Sequence, residues 1–323
     1  MPAARRVFAC ALALSLVLAL AGDAAAKAKK RAPIRMSKPA RGAQIVVGPI
    51  KVPKGSEVTE CTYMKLPSRK DLAVNKVKIK VNGGSHHIHL YRPHDRTLSI
   101  ENGHETCNFA LDFDVWQLIL GSQSVLLNWK LPDGIAFHFT AREQLAAQTH
   151  FVDNGALSTP ADGWAIYNLY AIPERKVTSY AGALFGQDKD VVVPAHSIAT
   201  ATTRCVFDRP VDLLALTGHY HFRGVKFTAH VWDGEKTGTP LYEYHGYDEP
   251  TFRRFAAGEQ AQIPGIEWTC TYENDTDRDY TFGPFTDDNE HCNLFAFYYP
   301  TLSKQEFMTC VQQDSRVTVT VRH

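Results

Sequence analysis

The sequence predicts an all-β protein of two tandem antiparallel β-sandwiches, and three observations carry that expectation. Short runs rich in β-branched and aromatic residues recur along the chain, one of them alternating apolar and polar at close to period two. Clusters of Gly, Pro, Asn and Asp punctuate the runs, as many short strands require. The globular part spans about 280 residues, more than one hydrophobic core usually serves, so two units of about 140 residues are expected.

Residues 1–26 read as a secretory signal. Arg5-Arg6 precede an apolar run from Val7 to Ala21, and small residues follow through Ala26. The run is too short for a comfortable membrane span, and Cys10 lies inside it rather than at a lipid-attachment site. A periplasmic or secreted protein follows, with no membrane span once the signal is removed. Residues 27–44 form a basic leader, with Lys27 to Arg41 expected to be disordered because little there can be buried. The first sandwich is expected over 45–180 and the second over 181–323.

Val74 to Val81 is the clearest amphipathic strand. Trp164 to Tyr170, Val191 to Val193, Phe227 to Trp232 and Val317 to Val321 are further strand-like runs. Asn82-Gly83-Gly84, Pro132-Asp133-Gly134, Asp153-Asn154-Gly155 and Asp233-Gly234 mark turns. Only Ala141 to Ala147 reads as a brief helix.

The formal net charge of +1 leaves no electrostatic footprint for nucleic acid. Cys61, Cys107, Cys205, Cys270, Cys292 and Cys310 remain after signal removal, and an even number in an exported chain reads as disulfides. No C-x-x-C, Gly-rich phosphate loop, GxSxG or HExxH motif is present.

Two histidine clusters carry the chemistry. Gly84-Ser85-His86-His87-Ile88-His89 lies in the first half and Gly218-His219-Tyr220-His221 in the second. Crowded neutral imidazoles chelate transition metals well. Alternation in a strand puts His219 and His221 on one face. It also favours His87 with His89, because His86 and His87 point apart unless a bulge turns the backbone, which Gly83-Gly84 makes cheap. His150 is a candidate third ligand.

The order of motifs resembles the copper type II ascorbate-dependent monooxygenases, the family of the peptidylglycine α-hydroxylating and dopamine β-monooxygenases. Glu60-Cys61-Thr62-Tyr63 with Leu66-Pro67 resembles the opening of its first domain, and Ser85-His86-His87-Ile88 its His-His-Met motif. Leu131 to Phe137 and Gln148-Thr149-His150-Phe151 resemble its Pro-x-Gly-x-x-Phe and Gln-Val-His-Tyr segments. His219-Tyr220-His221, Cys270-Thr271-Tyr272 and Cys292-Asn293-Leu294 resemble its second-half motifs.

The resemblance implies one copper per sandwich, the two facing each other across a solvent-filled cleft. It assigns His86, His87 and His150 to an electron-transfer copper, overriding the alternation rule, with His89 kept as a possible extra ligand. It assigns His219 and His221 to the oxygen-activating copper, places Asn293 at the reaction site, and pairs Cys270 with Cys292 and Cys205 with Cys310. Cys61 and Cys107 then remain for each other.

Two departures stand out. His291 occupies the position of the family's methionine ligand; an imidazole there is harder than a thioether and completes a three-histidine set, which would also suit zinc. Thr217 and Phe295 replace the arginine and tyrosine that grip a substrate carboxylate in the peptide-amidating members, so a less charged substrate is expected. The acidic stretch with Glu267, Glu273, Asp287, Asp288 and Glu290 reads as a solvated loop from which a carboxylate could orient a liganding imidazole. The expected activity is hydroxylation of an aliphatic C–H in a small organic substrate. It would use dioxygen, two copper ions and ascorbate or another one-electron reductant, with His219, His221 and His291 at the catalytic copper of a monomer. The alternatives are a non-catalytic copper-binding protein on the same fold and, more distantly, a zinc-dependent hydrolase.

Overall fold

The computed structural model of the chain describes residues 34–82, 84–107, 113–153, 162–246 and 250–323. The expected signal and the start of the leader lie outside the described residues, as do Gly83 and Asn154-Gly155 of two expected turns. The protein is all-β: apart from one 3-10 turn at Glu174–Lys176, every regular element among the described residues is a strand. No helix there is long and apolar enough to cross a membrane.

The first half packs two sheets face to face. One runs in the order Gly42–Lys51, Asp162–Ile172, Leu72–Val81, Ile135–Phe139 and Ser179–Tyr180, with Leu126–Lys130 also paired to Leu72–Val81. The other runs Gly103–Thr106, Glu57–Lys65, Gln144–Val152, Ser85–Pro93 and Trp116–Ser122. The alternation read in the sequence sets the inner face, with Val77, Ile79 and Val81 buried while Lys76, Lys78 and Lys80 point outward.

In the second half the 23-residue strand Ser197–His219 belongs to both layers. Its first part pairs with Ile263–Asn274, and its last part with Cys292–Tyr299. Register shifts where it changes partner let one strand turn the corner of the sandwich. Trp268, fully buried, fills the space between the layers. Disulfides join Cys61 to Cys107, Cys205 to Cys310 and Cys270 to Cys292.

The two halves share a core. Ala183, Phe185, Leu214, Phe295, Phe297 and Phe307 of the second half are buried in the same apolar cluster as the first half's sheets. The Phe297 ring packs tilted against Trp129 at 5.1 Å and edge-on to Phe137 at 5.5 Å.

Two local expectations are corrected. Ala141 to Ala147 is not helical: Gln144–Val152 is a strand held between Glu57–Lys65 and Ser85–Pro93. Both of its faces are buried, so no helical stripe can form and pairing overrides the propensity of Leu-Ala-Ala. Residues 34–41 of the leader are not a free tether. The carbonyls of Arg35, Met36 and Ser37 accept hydrogen bonds from Lys80, Gln44 and Asn168, and a strand begins at Gly42.

Candidate metal centre

Each histidine is placed by a specific local device. In the Ser85–Pro93 strand, Ser85 pairs with Phe151 and His87 with His150, so His86 is an extra residue, a bulge. Gly84 enters it with φ of 89°, a conformation that favours glycine. The bulge turns His86 and His87 toward the same region, where plain alternation would separate them. His150 sits opposite His87 on the neighbouring strand. His219 ends the long corner strand, paired with Asn293, and His221 follows just past the strand end. His291 precedes Cys292, which the disulfide to Cys270 anchors.

These rings form one cluster. The His86 ring lies 5.2 Å from His87 and 5.1 Å from His150 in its own half, and 4.9 Å from His219 and 5.8 Å from His221 in the other. His87 is 5.2 Å from His219. His291 lies 3.8 Å from His221 and 4.8 Å from His219. Two sets have donor atoms within 4.8 Å of one another: His86, His87 and His150, and His86, His219 and His221. The expectation of two sites facing across a solvent-filled cleft is therefore corrected. The shared core draws the halves together until the ligand sets touch. His291, despite these ring distances, is outside both sets, and so is His89. His89 stacks on His87 at 4.6 Å, with Nδ1 bonded to Gln148 and Tyr91.

The residues fit a metal. His86 Nε2, His87 Nδ1, His219 Nε2, His221 Nε2 and His291 Nε2 are all buried without a hydrogen-bond partner. Buried polar atoms are rarely left so, and five converging lone pairs mark a cation site. Bonds to ions at about 2 Å need donor separations of roughly 3–4 Å, a small closure from the spacing seen. The opposite ring nitrogens are held: His219 Nδ1 by the Gln123 side-chain oxygen, His221 Nδ1 by the Asn289 carbonyl at 2.9 Å, and His291 by the Gly283 backbone. With Nδ1 engaged, Nε2 of these three faces the centre. His150 is reversed. Its Nε2 meets Glu57 Oε1 at 2.5 Å, leaving Nδ1 as the ligating atom.

Electrostatics favour the uncharged rings. Burial, reinforced by neighbouring imidazoles, pushes His86, His87, His219, His221 and His291 well below the usual histidine range. Burial also lowers His89, to about 4. Glu57 is pulled below its ordinary value: burial acts upward, but the hydrogen bond from His150 and one from Thr286 outweigh it. Burial raises Glu290 to about 7. Its carboxylate accepts the backbone N–H groups of His221 and Arg223, each at 2.9 Å. Among the acidic residues singled out in sequence, Glu290 thus holds a ligand's backbone rather than an imidazole.

A cavity of about 400 Å³ opens beside the cluster. Phe113, Phe185, Phe295 and Val311 give it an apolar wall, Thr309 and Thr320 a polar one, and Lys189 and Arg322 also line it. Asn293 lines it with a buried, unpaired Oδ1. Thr217 does not reach it, being buried against the carbonyls of Gly218 and Pro250.

Residues 180–321 match the family model described as copper type II ascorbate-dependent monooxygenase, C-terminal domain. This half of the chain is similar to that domain. His219, His221, His291 and Asn293 all lie inside the matched span, so the family implies copper at the cluster just described. No curated protein matches the chain in sequence. Among solved structures, the STIV MCP aligns at 10% identity and a TM-score of 0.28, covering 80% of this chain and 92% of that one. A protein from Parabacteroides distasonis described as secreted aligns at 9% identity and a TM-score of 0.20, covering 82% and 92%. Neither superposition is close enough to carry an argument.

Sequence reasoning missed Gln123, Glu57 and Thr286. Gln123 reaches from the first half to His219 and donates to the Gly218 carbonyl at 2.8 Å. Glu57 joins His150 to Thr286 of the second half. No motif surrounds any of the three.

Proposed function

We propose that the chain is an exported copper-dependent monooxygenase that hydroxylates an aliphatic C–H bond of a small, weakly charged organic substrate, using dioxygen and a reductant such as ascorbate. The observation that carries this reading is the convergence of five unpaired, buried imidazole nitrogens beside a substrate-sized cavity, in a chain whose second half matches the copper monooxygenase C-terminal domain. His86, His87 and His150 would hold one copper; His219, His221 and His291 would hold another. Bound copper supplies the one-electron redox chemistry that activates dioxygen.

The chain's own residues do the rest. Gln123, Asn289 and the Gly283 backbone fix the tautomers of the second triad before any metal arrives. Phe113, Phe185 and Phe295 exclude water from one wall and offer an apolar surface to the substrate. Asn293 presents an amide to a polar group lodged beside the histidines. Three disulfides fit an oxidising compartment and so support export.

One observation favours a second reading, a non-catalytic copper-binding protein on the same fold. His291 stands where the family's thioether would favour the reduced metal. The two are separated by copper and zinc content, ascorbate-dependent oxygen uptake and hydroxylated product in the wild type, His219→Ala and His291→Met. Bound copper with product formation lost in His219→Ala supports the enzyme. Copper without product in the wild type, with product gained in His291→Met, favours the binder. Stoichiometric zinc without copper defeats both.

A further inference from the structure

We propose that the six histidines build one dinuclear centre, with His86 standing between two imidazole triads. The inference rests on the copper reading above and concerns how the two ions sit with respect to each other.

The first argument is overlap. His86 is within 4.8 Å of the donor atoms of His87 and His150, and equally of those of His219 and His221. Ions held by two sets that share a member lie within a few ångströms of one another. The second argument is satisfaction of buried groups. The five unpaired nitrogens come from both halves, and a single ion could not reach all of them with bonds of about 2 Å. Two ions can.

The third argument is that the closed arrangement is built in. Gln123 bonds both the ring of His219 and the carbonyl of Gly218, across the boundary between halves. Glu57 spans the same boundary, taking His150 on one oxygen and Thr286 on the other at 3.0 Å. The buried aromatic core shared by the halves stands behind both links. These links hold the two ligand sets against each other even though a cavity opens beside them. The fourth argument is composition. The His291 ring lies 3.8 Å from His221 and 4.8 Å from His219, so it can take the place of His86 beside them; His86 then serves the first set and the two triads become chemically alike. Glu57, hydrogen-bonded to His150, places a carboxylate beside the added cations.

The test is magnetic and needs no substrate. The full chain is loaded with copper, oxidised, and its copper content compared with the doubly integrated electron paramagnetic resonance signal; a half-field resonance is sought in the same sample. A dinuclear centre gives two ions per chain, an integrated signal well below the copper content, and a half-field line or near silence through exchange. His86→Ala is expected to restore signal intensity per copper, or to lose one ion. If that variant does not fold, X-ray absorption of the reduced wild type still reads metal–metal scattering directly. Two ions whose signals integrate fully, with no half-field line and no metal–metal scattering, would overturn the proposal, as would saturation at a single ion. Coupled copper without hydroxylated product leaves the dinuclear centre standing and removes the monooxygenase reading. Product with two uncoupled signals does the reverse.

Discussion

Acid should unfold the metal-free protein well before its carboxylates titrate. The perturbation is a drop from about pH 7.5 to about pH 5, and His89 sets a lower bound on its effect. The ring is buried at 6% exposure and its pKa lies at about 4, against about 6.5 for an unfolded histidine. At pH 5 the unfolded chain therefore carries roughly nine-tenths more of a proton at this site than the folded one. Because the folded value is depressed, the unfolded chain binds the extra proton. Stability is complete above about pH 6.5 and falls as pH drops toward 4. Linkage gives a loss of about 2 kcal/mol at pH 5 from His89 alone. His86, His87, His219, His221 and His291 are also held well below the usual histidine range by burial and act in the same direction. The assay is urea unfolding of the metal-free protein with disulfides intact. At a slope of about 2–3 kcal/mol per molar, the midpoint should fall by at least roughly 0.7–1 M. Copper, which binds only the neutral rings of its ligands in the folded state, should raise the midpoint at both pH values without shrinking the fall. A metal-free midpoint unchanged between the two pH values would refute the buried, neutral cluster.

Other expectations follow from individual contacts. Gln123→Leu removes the partner of His219 Nδ1, and copper affinity measured by competition with a chelator should drop about 10–100-fold. Phe295→Ala empties a buried ring that touches His89, Phe185 and His219, and should cost about 3–5 kcal/mol in urea unfolding while enlarging the cavity. Cys270→Ser with Cys292→Ser opens a loop with a sequence separation of 22, which by loop entropy costs about 3 kcal/mol; calorimetry should show the lowered midpoint. Glu290→Gln leaves Arg223 without its buried carboxylate and weakens the clamp on the His221 backbone. Unfolding by urea should show a loss of about 3–5 kcal/mol.

Much of the fold was legible because strands announce themselves locally. The lysine-valine alternation at Val74 to Val81 needs no tertiary information. The doubly buried Gln144–Val152 strand carries no alternation, so its Leu-Ala-Ala core read as helix. At the centre, the pairing of His219 with His221 was legible from their spacing even though His221 falls just past the strand end, and the bulge at His86 was foreshadowed by the paired glycines. The meeting of the two clusters was not. It depends on contacts such as His219 to Gln123, separated by 96 residues, and Glu57 to Thr286, separated by 229. No periodicity encodes such contacts. Resemblance to the family pointed the other way, toward sites held apart, because it carries ligand identity but not how closely the halves pack.

Phe295 ties three properties to one side chain: the shared core, the cavity wall and the ring contacts of His89 and His219. In evolutionary terms that position is pleiotropic. A change that broadens the substrate range there also weakens the fold and disturbs the metal centre, so few substitutions can be accepted. Thr318 and Thr320, on the Arg316–Arg322 strand at the sheet edge, line the same cavity without being part of either core. Divergence in substrate preference should therefore accumulate on that edge strand, where new side chains can be tried without first being compensated elsewhere.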